Sequence, residues 1–134
     1  MSNAVKDKLA SYSPVVRGKI EEVRRLIFAV AQQKQLGEIT ESLKWGELSY
    51  VCKYGSPIRL DWKAKYPEQL SVFFNCNTVL VETFREIFGD RLNLVGKREL
   101  VLQLDVAIPE PELTTCFTMA LQYHKLKNLP LLGA

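Results

Sequence analysis

The stretch IRLDWKAK, residues 58–65, constrains the fold more than any other part of the chain. Successive side chains of an extended strand point to opposite faces, so Ile58, Leu60, Trp62 and Ala64 lie on one side and Arg59, Asp61, Lys63 and Lys65 on the other. Strict alternation of this kind reads as a half-buried strand with one oily and one polar face. Such a strand needs partners. Gly55, Ser56 and Pro57 before it and Tyr66, Pro67 and Glu68 after it have the chemistry of turns. Leu70, Val72 and Phe74 then alternate with Ser71, Phe73 and Asn75, as an antiparallel partner should. Residues 49–54 read as another strand. Residues 92–95 and 100–104 read as a second hairpin across Gly96, Lys97 and Arg98, with Leu100, Leu102 and Leu104 toward the core.

The oily face also needs a cover, and helical periodicity supplies it. Ser13 is suited to an N-cap and Pro14 to the first turn of a helix. Val16, Ile20, Val23, Ile27 and Val30 then form one apolar stripe, so a helix is expected to about residue 33. Leu36 and Gly37 break it, and residues 38–44 read as a short second helix. Asn77 or Thr78 can cap the next helix, where Val81, Phe84, Ile87 and Phe88 repeat before a Gly89 stop. A last helix starts near residues 109–111 and runs to about 125, burying Leu113, Phe117, Ala120 and Leu121. Residues 1–12 are expected to be loosely ordered and residues 127–134 to form an extended tail. The expected fold is a single α+β domain of 134 residues: about five antiparallel strands with helices on one face.

Composition excludes several function classes. No apolar run approaches the ~20 residues that span a bilayer, so no membrane role is expected. The first residues, MSNAVKDKLA, contain no hydrophobic signal region, which points to a cytoplasmic protein. A net charge of +3 is mild for a nucleic-acid domain, and Phe73 is the sole aromatic on the polar strand face, too little for base stacking. Contact between copies of the chain explains an exposed Phe73 or Val101 better. Cys52, Cys76 and Cys116 lack C-x-x-C spacing, and His124 is the only histidine, which argues against a zinc site; no cofactor is expected.

The polar residues cluster around KWGELSY, residues 44–50. Trp45 is expected as a buried anchor at a helix-to-strand corner, with Tyr50 nearer the opening of a groove. Arg59 and Arg98 offer charge to a phosphate or carboxylate, and Asp61 can orient one of those cations. Together Trp45, Tyr50, Arg59, Asp61 and Arg98 suggest a site for a small anionic ligand. Cys76 precedes a helix whose dipole favours a thiolate, but the nearest base in type, His124, belongs to the far end of the chain, so a buried packing thiol is the stronger reading. Cys52 and Cys116 are expected to pack.

In order along the chain, ITESLKWGELSY, IRLDWKAK, FFNCNTVLVETFREIFGDRL, GKRE, IPEPEL and YHKLKNLPLLGA resemble the YdhG-like family, a domain of unknown function. The resemblance runs from about residue 13 to the end. It implies the same α+β fold, and some relatives are described as frataxin-like iron chaperones. An iron site of that kind would use exposed carboxylates, for which Glu21 and Glu22 are the candidates. Arg17, Lys19, Arg24 and Arg25 surround them, and their field repels a dication. Three readings stand: a binding module for a small anion or a protein partner, an iron chaperone, and a cysteine-dependent enzyme using Cys76. The first is favoured.

Overall fold

The computed structural model describes residues 1–134 and has an α+β fold. Six strands form one antiparallel sheet: β1 (Thr40–Lys44), β2 (Glu47–Val51), β3 (Ile58–Asp61), β4 (Gln69–Phe73), β5 (Asn93–Val95) and β6 (Glu99–Gln103). Their order in the sheet is β1-β2-β3-β4-β6-β5. Cross-strand register aligns Leu43, Leu48, Leu60, Val72, Leu100 and Leu94 on one face. The other face carries Ser42, Ser49, Arg59, Phe73, Glu99 and Val95 in the adjacent row. The alternation in residues 58–61 thus extends across the whole sheet.

Helices α2 (Pro14–Gln33) and α4 (Glu110–Leu121) pack on each other and on the apolar face. In α2, Ser13 caps the helix by accepting the Val16 N–H, and the expected stripe of Val16, Ile20, Val23, Ile27 and Val30 is buried. Helix α3 (Leu80–Phe88) lies against α4, and Gly89 ends it at φ 52°. A short helix α5 (Tyr123–Leu126) follows α4 after a break at Gln122, where a continuous helix to residue 125 was expected. The core is one contiguous cluster of 31 buried residues drawn from all of these elements except β1 and β5.

Several segments depart from expectation. Strand β3 ends at Asp61, so residues 62–65 lie outside the sheet with Ala64 exposed, and β2 spans Glu47–Val51 rather than residues 49–54. Residues 1–12 are not loose: helix α1 (Asn3–Ser11), capped by Ser2, buries Val5 and Leu9 completely. Two apolar residues four apart on one helix face suffice to dock it. Of residues 38–44, read as a helix, Thr40–Lys44 form a strand instead, the sixth beyond the expected five. Its core-facing residues are Glu41 and Leu43, so its apolar pattern is one residue long and the local sequence conceals it. Glu41 is held there by a bidentate pair with Arg24 of α2, at 2.5 and 2.9 Å. Residues 127–134 are not extended: a 3-10 turn, Pro130–Gly133, folds back and buries Leu132.

Candidate functional site

The polar face ends in a cleft of about 200 Å³ at the close of β4, lined by Pro57, Arg59, Phe73, Phe74, Asn75, Cys76 and Arg98. Three separate segments build it, and each is fixed by backbone chemistry. The loop that brings in Pro57 docks on the end of α4, where the Ser56 N–H donates to the Ala120 carbonyl at 2.8 Å. Gly55 is required there, because a Cβ would stand 2.5 Å from the Leu121 carbonyl oxygen. The Phe74 N–H donates to the Arg98 carbonyl at 2.7 Å, which pins the end of β4 to the start of β6 and places Arg98 over the cleft. Asn75 then organises the turn carrying Cys76. Its side-chain oxygen accepts the Asn77 N–H at 2.8 Å, and its carbonyl accepts both the N–H and the hydroxyl of Thr78 at 3.1 and 2.6 Å. Beyond it the Val79 N–H donates to the Tyr123 hydroxyl at 3.2 Å, tying the turn to α5.

The lining carries two guanidinium groups and no carboxylate. Arg98 lies over the Phe73 ring, 4.5 Å from its centroid, and Lys63 approaches the same ring at 5.2 Å. No carboxylate lies within ion-pair distance of Arg98. Arg59 has one loose contact, to Glu47 at 3.9 Å, while the neighbouring Glu99 is engaged by the Ser71 hydroxyl at 2.6 Å. Each guanidinium presents five N–H donors in a planar fork, so the pair can hold a phosphate or carboxylate by several bonds at once.

The site expected from sequence is only partly assembled. Arg59 and Arg98 do line one cleft. Asp61 does not line the cleft; it accepts the Tyr12 hydroxyl at 3.0 Å, with Lys8 4.0 Å away. That contact and burial push the Tyr12 hydroxyl well above the usual tyrosine range, burial being the larger cause.

Trp45 and Tyr50 exchange their expected places. Trp45 is 93% exposed, and Tyr50 is fully buried. Trp45 and Gly46 are the two residues of the hairpin loop between β1 and β2, with φ of 55° and 78°. Positive φ at both positions is the signature of the tight turn that matches the twist of a hairpin, and it throws the indole into solvent. Tyr50 instead faces α2, edge-on to Phe28 with centroids 6.0 Å apart. Its hydroxyl lies beside Glu41 and Arg24 but meets no hydrogen-bond partner in good geometry, and burial pushes it far above its ordinary pKa. Neither aromatic lines the cleft.

Cys76 is exposed, which corrects the expectation of a buried thiol. The cap of α3 is Val79, so Cys76 sits three residues outside the helix and beyond the reach of its dipole. The exposed thiol takes its place among the cleft residues instead, a grouping hidden in sequence because residues 57–59, 73–76 and 98 are far apart. The strand register holds the signal: Arg59 pairs with Phe73, and Phe73 with Glu99. Cys52 and Cys116 are buried, and burial pushes both thiols up. His124 does not line the cleft; it is exposed on α5, edge-on to Tyr123.

Phe73 and Val101 are 6% and 7% exposed, covered by their neighbours on the polar face. The contact between copies inferred from their exposure loses its basis. Of the candidate iron ligands, Glu21 is engaged by Arg17 at 2.9 Å, and no group of three potential metal-ligating side chains comes together at Glu22 or elsewhere. No helix is long and apolar enough to cross a membrane. No family model matches the chain, and no curated protein or solved structure matches it.

Proposed function

We propose that the protein is a binding module for a small anionic ligand, held in the cleft at the end of β4 by Arg59 and Arg98. The observation that carries this reading is that two arginines, Arg59 of β3 and Arg98 of the β5–β6 turn, line one concave site whose lining contains no acid. Phe73 keeps Arg98 in place through its ring face, a contact worth ~0.5–1 kcal/mol at a surface, and leaves the edge of the guanidinium free to donate. The small volume suits a phosphoryl or carboxylate group at the end of a compact molecule. The iron-chaperone alternative implied by the family resemblance calls on carboxylates, which this cleft lacks.

Thermal unfolding tests the proposal with pyrophosphate, citrate and a panel of anionic metabolites at matched ionic strength. A ligand at a hundred times its dissociation constant adds ~2.7 kcal/mol, a rise of several degrees for a domain of this size. The rise should vanish in the Arg59→Ala/Arg98→Ala variant. An equal rise in that variant places the anion elsewhere and overturns the reading.

A further inference from the structure

The anion reading leaves one reactive group of the cleft unused. Cys76 is the only one of the three cysteines that is exposed, and it shares the cleft wall with both arginines. Fixed cations beside an exposed thiol draw anionic reaction partners to it. Here the cations are Arg59 and Arg98, and the turn that presents the sulfur is fixed by the Asn75 and Thr78 hydrogen bonds. Cys52 and Cys116 are 3% and 0% exposed, so the rest of the chain offers no competing thiol. The cleft is open on one side, so a ligand bonded to the sulfur can extend into solvent while its charged end stays at the arginines.

We propose that Cys76 forms a reversible mixed disulfide with a small thiol bearing carboxylates, of which glutathione is the chemical type, and that the adduct closes the cleft to other anions. This rests on the anion-binding reading, since Arg59 and Arg98 hold the carboxylates of the incoming disulfide. The Cys76 thiolate attacks one sulfur of glutathione disulfide. A bond forms between the Cys76 sulfur and that sulfur as the original disulfide bond breaks. The departing glutathione thiolate takes up the proton that Cys76 released. One disulfide is consumed and one is formed, so glutathione disulfide is itself the oxidant, and excess reduced glutathione reverses the step.

The test exposes the reduced full chain to glutathione disulfide, to the cationic disulfide cystamine and to the neutral hydroxyethyl disulfide, and follows intact mass. One glutathionyl group should add to the wild type and none to the Cys76→Ser variant. The wild type should react about tenfold faster with the anionic than with the cationic disulfide, the lower end of electrostatic steering. In the Arg59→Ala/Arg98→Ala variant that preference should disappear, with a wild-type circular dichroism spectrum and cooperative unfolding showing that the variant is folded. No adduct, an adduct at another cysteine, or an undiminished preference in the double variant overturns the proposal. Pyrophosphate titration of the reduced wild type separates the two readings. Binding there without selective thiolation overturns only the inference about Cys76, whereas no binding overturns the anion site as well. The glutathionylated protein should lose its pyrophosphate response; a retained response refutes closure of the cleft.

Discussion

Replacing Tyr50 and Trp45 by alanine, one at a time, tests the sheet's assignment of faces, on which the position of the cleft depends. Tyr50 is fully buried against Phe28, and truncation leaves a cavity between α2 and the sheet that surrounding atoms fill only in part. Large-to-small aromatic substitutions of this kind cost ~3–5 kcal/mol. The hydroxyl offsets little of that cost, since it makes no well-formed hydrogen bond. A domain of ordinary stability, ~5–15 kcal/mol, would lose about a fifth or more of it, and the melting midpoint would fall by roughly 10 °C or more. Trp45, 93% exposed on the hairpin loop, has no packing to lose, so Trp45→Ala should change stability by no more than ~0.5 kcal/mol. Urea unfolding followed by far-ultraviolet circular dichroism measures both variants. A loss above ~2 kcal/mol for Trp45→Ala with a negligible loss for Tyr50→Ala would refute the reasoning. A one-residue slip in register turns every side chain of a strand to the opposite face, and that slip would produce such a reversal.

Glu41→Gln should cost ~1–3 kcal/mol, because it weakens the charge-assisted pair that satisfies the partly buried Arg24, and equilibrium unfolding at neutral pH measures the loss. Burial pushes the Glu41 carboxyl up, but the hydrogen bonds and charge of Arg24 outweigh it, so the group titrates below its ordinary value. Its contribution is therefore complete above the unfolded-state value of ~4.3 and is lost as the pH falls through the lower folded-state value; the Gln variant should show a shallower loss of stability in that acid window. Gly55→Ala should destabilise by ~1–3 kcal/mol, since its Cβ would meet the Leu121 carbonyl oxygen and lift the Pro57 loop from α4; a midpoint in urea equal to that of the wild type would contradict this contact. A thiol reagent should modify only Cys76 of the three cysteines in the native state and all three in denaturant, counted by intact mass.

Much of the fold was legible in the sequence where a local pattern coincides with a packing demand. The stripe of α2 and its Ser13 cap, the alternation of β3 and β4, and the β5–β6 hairpin across Gly96 all need only neighbours in sequence to be read. Strand β1 was not legible because its inward residue Glu41 is polar, and its stabilising partner Arg24 lies 17 residues upstream. Size and apolarity marked Trp45 for the interior, but the positive φ of the Trp45-Gly46 loop decides its place, and backbone geometry outranks side-chain character there. Of the site, the two arginines could be named from the polar face, whereas Cys76 joins them only through the register that brings the start of β6 beside the end of β4.

The most direct test of the anion cleft is a proton–nitrogen correlation NMR titration of the reduced protein with pyrophosphate at ~0.15 M salt, where loose surface charge is largely screened. The account predicts saturable shifts concentrated at the guanidinium Nε of Arg59 and Arg98 and at the amides of Asn75 and Cys76. Shifts spread evenly over the surface lysines and arginines, with none that saturate at those four residues, would contradict it.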